Sequence, residues 1–235
     1  MTISSFPKTV LIIGASRGLG LGLAIEYLRA GWHVIATVRI PAADSPLKRA
    51  GHNTAGRLEI ETVDINLPGQ VAALRQRLAG RRLDMLFVNA GVANRRDERI
   101  GEVSMEEFNR VMVTNALSPM RVVESFAELV PAGGVIVVMS SGLGSVADNE
   151  TGGMEVYRAS KAALNTLMRS FAARTTAVPR RLLAMAPGWV RTDLGGAQAP
   201  LDVATSSRGM VAAIDAQVGK SGMAFINYLG ETVNW

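Results

Sequence analysis

The chain has 235 residues, 48% of them apolar and 19% charged, enough for one large domain with a sizeable core. A net charge of +5, from 21 arginines and four lysines against 20 acids, is dispersed along the chain, which argues against a nucleic-acid stripe but suits an anionic ligand. The absence of cysteine excludes disulfides, thiol catalysis and cysteine-ligated zinc and fits a cytoplasmic location, while the two histidines, His33 and His52, leave little material for a metal site or a histidine triad.

The opening stretch MTISSFPKTVLIIG lacks a basic segment ahead of a long apolar one, so no signal peptide is expected. The longest apolar runs, such as VIVVM, are far short of a membrane span. Continuous β-branched runs predict strands at 9–13, 33–38, 58–63, 83–88, 135–139, 182–186 and 223–226. Being continuous rather than alternating, they suit strands buried on both faces. Helical periodicity fills 18–30, 68–79, 106–130, 156–177 and 202–218, with an interruption expected near Pro119 because proline disrupts a helix interior. Strand–helix alternation without a linker or a repeat predicts a single α/β domain over 1–235. Its core would be a doubly wound parallel sheet of about seven strands, with helices on both faces. In such a sheet ligands bind beyond the carboxyl ends of the strands, so the residues after each run carry the information.

The first strand is followed by GASRGLG, where Gly14, Gly18 and Gly20 allow a tight turn and close approach of a phosphate to a helix N-terminus. The second strand ends in ATVRI. Thr37 and Val38 stand where a ribose-binding acid would be, and Arg39 follows. With Arg17 in the glycine loop, two guanidiniums and no carboxylate favour a ribose 2′-phosphate, hence NADP over NAD. Asp64, after the third strand, suits an adenine amino group or a turn or helix cap. Asn89, Ala90 and Gly91 follow the fourth strand and let a flat group lie against the backbone. SSGLG follows the fifth, and then YRASK puts Tyr157 and Lys161 at i and i+4 on one helix face. An ammonium beside a phenol stabilises the phenolate and brings its pKa towards the working range. PGWVRTD forms a rigid turn after the sixth strand.

Taken in order, GASRGLG, VD at 63–64, NAG, TNALSP, SS at 140–141, YRASK and PGWVRTD resemble the short-chain dehydrogenase/reductase family over essentially the whole chain. The long stretch from Ser140 to Tyr157 and the ending FINYLGETVNW look like its C-factor/sniffer-type carbonyl reductase branch. The resemblance implies a Rossmann-type fold and an NADP(H)-dependent oxidoreductase acting on a small carbonyl or alcohol substrate. It implies a tetrad of Asn115, Ser141, Tyr157 and Lys161. The tyrosine moves the proton, the serine positions the carbonyl oxygen (Ser140 being the minor alternative), the lysine binds the nicotinamide ribose, and the asparagine holds a water. For the cofactor it implies Gly14, Ser16, Arg17, Gly18, Leu19, Gly20, Arg39, Asp64, Ile65, Asn89, Ala90, Gly91, Tyr157, Lys161, Pro187, Gly188, Val190 and Thr192. It also implies a homodimer or homotetramer, with no nucleic-acid or membrane partner.

Three departures from the family pattern stand out. Ile13 replaces a frequent threonine and removes a supporting hydrogen bond, a second asparagine before Ala90 is missing, and 194–204 is too short for a large substrate lid. The C-factor resemblance also supports another reading, an NADP(H)-binding signalling or redox-sensing protein with little turnover. Arg95, Arg96 and Arg99 read either as an attractor of anionic substrates or as a solvated loop. Trp189 either edges the nicotinamide pocket or packs, and Trp235 closes against the core.

Overall fold

The structure is a computed structural model that describes residues 7–235. Residues 1–6, part of the stretch read for a signal peptide, lie outside the described residues. Seven strands run in one wholly parallel sheet of order β3-β2-β1-β4-β5-β6-β7. They are β1 (Thr9–Ile13), β2 (His33–Val38), β3 (Leu58–Thr62), β4 (Met85–Val88), β5 (Val135–Met139), β6 (Arg181–Ala186) and β7 (Gly222–Asn227). The expected strands are all present, with ends shifted by at most two residues.

The strands are apolar on both sides because both sides are covered. Leu11, Ile13, Leu86, Val88, Ile136 and Val138 point to one core, and Val10, Ile12, Met85, Phe87, Val135 and Val137 to the other, the period of two that a strand imposes. The first core is closed by α3 (Pro68–Arg77), α5 (Ser118–Phe126) and α6 (Glu155–Arg174). The second is closed by α1 (Gly18–Arg29), α2 (Pro46–Ala50) and α7 (Val203–Asp215). The short α2, started by Ser45 accepting from the Lys48 N–H, has no long periodic signal and was not among the expected helices.

The expected long helix over 106–130 is divided. After α4 (Met105–Met112) come five residues of π-helix, Val113–Leu117, and then α5 with Pro119 in its first turn. Pro119 has no N–H to give the carbonyl of Asn115, four residues back, so the chain widens by one residue there. The break therefore lies on Asn115 rather than at the proline itself. β1 lies between β2 and β4: the chain runs outward from β1 through β2 to β3, then crosses back to place β4 on the other side of β1. The cleft opens at that reversal, beyond the carboxyl ends of the strands.

Candidate active site

The loop after β1 is built for close approach. Gly14 has φ +88°, and a Cβ there would stand 3.1 Å from Ala90. A Cβ on Gly20 would come within 2.0 Å of the Gly14 carbonyl oxygen, so Gly20 lets α1 sit against the loop. Gly20 packs against Gly14 and Asn89 rather than among the residues that line the cleft. Two side chains brace the loop. The Thr37 hydroxyl accepts from the Gly14 N–H at 2.9 Å, and Asn89 Nδ2 donates to the Gly14 carbonyl at 2.6 Å. Thr37, placed by the sequence at the ribose-acid position, is thus a buried support that serves where Ile13 cannot.

The N-terminus of α1 has no side-chain cap and no acid in its first turn. Its N–H groups and dipole are left to an anion, and together with the glycine loop they fit the pyrophosphate of a dinucleotide. The cavity in front measures about 1030 Å³, roomy enough for a dinucleotide and a small substrate together. Ser16, Arg17, Gly18, Leu19, Arg39, Asp64, Ile65, Asn89, Ala90 and Gly91 line it, with Pro187, Gly188, Val190 and Thr192 on the wall after β6. Asp64 accepts from the Asn66 N–H at 2.9 Å, so the turn alternative describes it while it also faces the cavity. Thr192 stands over Gly18: a Cβ there would meet its Cγ2 at 3.5 Å.

The expectation of two guanidiniums without a carboxylate is corrected. Arg17 lies 2.6 Å from Asp193, brought across the mouth by the turn after β6. Both side chains are mostly exposed (72% and 73%), so the pair adds little to stability. Arg39 has no ion pair among the described residues.

At the other end of the cavity, β5 delivers two serines with different fates. Ser140 is buried and donates to Asn165 Oδ1 at 2.7 Å. Ser141 begins the 3-10 turn Gly142–Gly144, accepts from the Leu143 N–H at 3.1 Å, and lines the cavity with Tyr157. Tyr157 and Lys161 project from the first turns of α6 and are almost fully buried (7% and 3% exposed). Lys161 Nζ donates to the Met139 carbonyl at 2.8 Å and stands 5.7 Å from the Tyr157 ring centroid. A Cβ on Gly91 would press within 3.3 Å of that Nζ.

Burial dominates both ionisations. It pushes the Tyr157 phenol up to about 12, with the Ser141 hydrogen bond and then the Arg96 charge drawing it back. It lowers Lys161 to about 8. Lys161 is not among the groups that draw the phenol down in this geometry: its Nζ donates to the Met139 carbonyl and lies 5.7 Å from the ring centroid.

Asn115 is fully buried behind the cavity wall and does not line it. Its Oδ1 accepts from the Val92 N–H at 2.8 Å, and its Nδ2 donates to the Val92 carbonyl (2.7 Å) and to Ser160 Oγ (2.9 Å). Both amide protons are used in tying the loop after β4 to α6.

Several cavity residues escaped the sequence reading: Asn66, Thr114, Leu143, Met154, Asn227 and Tyr228. Those in the last loop lie within FINYLGETVNW, noted only as a branch resemblance. Trp189 lines the cavity and donates Nε1–H to the Gly195 carbonyl at 2.7 Å. Arg96 is not a freely solvated loop residue: it donates to the carbonyls of Leu194 (3.0 Å) and Gly195 (2.6 Å). Trp235 packs at 5.4 Å from Phe225, as expected. No group of three or more His, Cys, Asp or Glu side chains that could hold a metal occurs among the described residues, and none of their helices is long and apolar enough to cross a membrane.

Comparison with known proteins agrees with this geometry. The short chain dehydrogenase family model matches residues 8–200. An NADP-bound short-chain dehydrogenase/reductase from Burkholderia multivorans, itself described as putative, is 51% identical and superposes with TM-score 0.94 over 97% of this chain and 100% of that one. A carbonyl reductase from Pseudomonas aeruginosa in complex with NADP is 38% identical, with TM-score 0.90 over 97% and 100%. C-signal from Myxococcus xanthus is 35% identical over 155 residues, 65% of this chain and 93% of that protein. With the parallel sheet, the glycine loop and the serine–tyrosine–lysine wall in one cleft, the chain belongs to the short-chain dehydrogenase/reductase family, in the branch that holds C-signal and the carbonyl reductases.

Proposed function

We propose that the protein, as a single catalytic domain over residues 1–235, reduces a carbonyl compound with NADPH, Tyr157 giving the proton to the carbonyl oxygen. One observation carries the reading: Ser141, Tyr157 and Lys161 share a cavity with an uncapped helix N-terminus that suits a dinucleotide phosphate. When bound, the nicotinamide supplies the hydride. The chain does the rest. Ser141 donates to the carbonyl oxygen and holds it beside the phenol. As negative charge grows on that oxygen, the Tyr157 proton moves across, and the phenolate left behind is stabilised by Ser141 and by the Arg96 charge. Lys161 lies at the back wall beside Gly91, where its buried amine binds a ribose hydroxyl. The main-chain carbonyl of Asn115 holds the water that returns a proton to this wall.

NADPH is the preferred form, because Arg39 at the rim faces the cavity with no acid paired to it among the described residues and suits a 2′-phosphate. The test is a titration with NADPH and NADH, in wild type and Arg39→Ala. Loss of about tenfold in NADPH affinity with NADH unchanged supports the preference; equal affinities in wild type reject it. The cysteine-free composition suits a reducing, cytoplasmic compartment.

The likeness to C-signal supports a second reading, an NADP(H)-binding signalling protein with little turnover. A panel of aldehydes, ketones and quinones separates the two. Tight NADPH binding with no reduction across the panel selects the second.

A further inference from the structure

The substrate end of the cavity holds a cation without a counter-charge. Arg96 follows β4 and lines the cavity with Tyr157, Ser141, Leu143, Met154 and Trp189. Its Nη2 is fixed by the carbonyls of Leu194 and Gly195, and its guanidinium lies 5.7 Å from the Trp189 ring centroid. The same Gly195 carbonyl accepts from Trp189 Nε1, so loop, tryptophan and arginine form one wall. Carbonyl dipoles and a π-face orient a guanidinium but leave its charge whole. Its neighbours are neutralised differently: Arg95 is paired with Asp97 at 3.1 Å and Arg110 with Glu107 at 2.7 Å. No carboxylate among the described residues lies within ion-pair distance of Arg96. Asp193, the acid nearest to it in sequence on the facing loop, is taken by Arg17. Both carbonyl bonds come from Nη2, and Nη1 and Nε have no hydrogen-bond partner in the described residues. The N–H groups of Nη1 and Nε remain to donate, and charge-assisted donors of this kind suit a carboxylate. The Arg96 charge is felt at the Tyr157 phenol, which places it on the reacting side of the cavity.

We propose that Arg96 is a specificity residue that binds a carboxylate on the substrate, so that the protein acts on acidic carbonyl compounds with an apolar body: oxo acids rather than neutral aldehydes and ketones. The inference rests on the oxidoreductase reading above and names its substrate class. The apolar part of such a compound lies against Leu143, Met154 and Trp189 while its carbonyl meets Ser141 and Tyr157. Substrate binding then also keeps the wall closed, since the carboxylate holds the same guanidinium through Nη1 or Nε while Nη2 stays on the Leu194 and Gly195 carbonyls.

The test uses Arg96→Gln, which removes the charge while keeping a donor for the Leu194 and Gly195 carbonyls. Benzoate and benzamide, equal in shape and different in charge, are titrated into wild type and variant in saturating NADP+. In parallel, kcat/KM is measured with NADPH for phenylglyoxylate and its methyl ester. Wild type is expected to favour the acid of each pair by about tenfold or more, the scale of a hydrogen bond to a charged group, and the variant to lose that preference: benzamide binding stays within about twofold, and whatever the ester loses through the phenolate, the acid loses about tenfold more. Equal affinity for benzoate and benzamide in wild type overturns the proposal, as does a preference for the acid that survives in Arg96→Gln. Equal losses for acid and neutral compounds also overturn it, because they show Arg96 only holding the wall. Failure of the oxidoreductase reading looks different: neither glyoxylate compound is reduced, while the benzoate comparison still decides whether Arg96 binds carboxylates.

Discussion

The hydroxyl of Thr37 accepts a 2.9 Å hydrogen bond from the backbone N–H of Gly14, joining the end of β2 to the loop after β1. Thr37 is only 1% exposed, and the bond fixes the orientation of the glycine loop at the mouth of the cavity. Thr37→Val keeps the shape and orphans the Gly14 N–H. The expected cost is about 1–3 kcal/mol of stability, with weaker NADPH binding, whereas Thr37→Ser retains both. Denaturant unfolding and NADPH titration of the two variants measure this; a valine variant as stable as wild type would show that the bond carries no weight.

On the proposed mechanism Tyr157→Phe removes the proton donor, and it leaves the buried ring in place. Carbonyl reduction should fall by about 10² to 10⁴, the range of one general acid, with NADPH affinity changed by less than about twofold. Turnover near wild type would place the proton transfer elsewhere.

Lys161 shows itself in the pH dependence of stability. Burial holds it at about 8 in the folded chain against 10.5 for an ordinary lysine. Between those values the unfolded chain binds a proton that the folded chain does not, so this residue makes stability rise as pH rises from about 8 to 10.5. The gap is worth roughly 3 kcal/mol. Lys161→Met removes the titration and the neutral-pH penalty. The unfolding free energy of the variant relative to wild type should therefore be more favourable at pH 7 than at pH 10.5, by about that amount. A pH-independent difference would mean that the amine stays charged throughout.

Two glycines give opposite responses to alanine. At Gly20 a methyl would lie 2.0 Å from the Gly14 carbonyl oxygen and 2.6 Å from Asn89 Nδ2, so backbone must move. Gly20→Ala should cost about 1–3 kcal/mol and weaken NADPH binding, because the displaced carbonyl belongs to the phosphate-facing loop. Gly69, in the first turn of α3, has nothing within 4 Å of its Cβ position. Gly69→Ala should stabilise by about 0.5 kcal/mol without touching cofactor affinity. Paired thermal melts distinguish the two, and matching shifts would contradict the packing account.

By itself the sequence determined the seven-stranded sheet, the positions of its strands and the order in which the site's residues arrive. Strands buried on both faces read as unbroken apolar runs, and the glycine-loop and tyrosine–lysine motifs are local: Gly14 with Gly18, or Tyr157 with Lys161, need only short spacings. Tertiary structure decided whatever depends on residues far apart in the chain. It turned Thr37 into a brace for Gly14, Asn115 into a clamp on Val92, and Gly20 into a packing residue. It paired Arg17 with Asp193 and set Arg96 against Leu194 and Gly195. It also reversed the balance at Tyr157, where desolvation outweighs the charges near it. Burial and pairing between loops arise only once the strands stand side by side, and no spacing along the chain encodes the distance across a cleft.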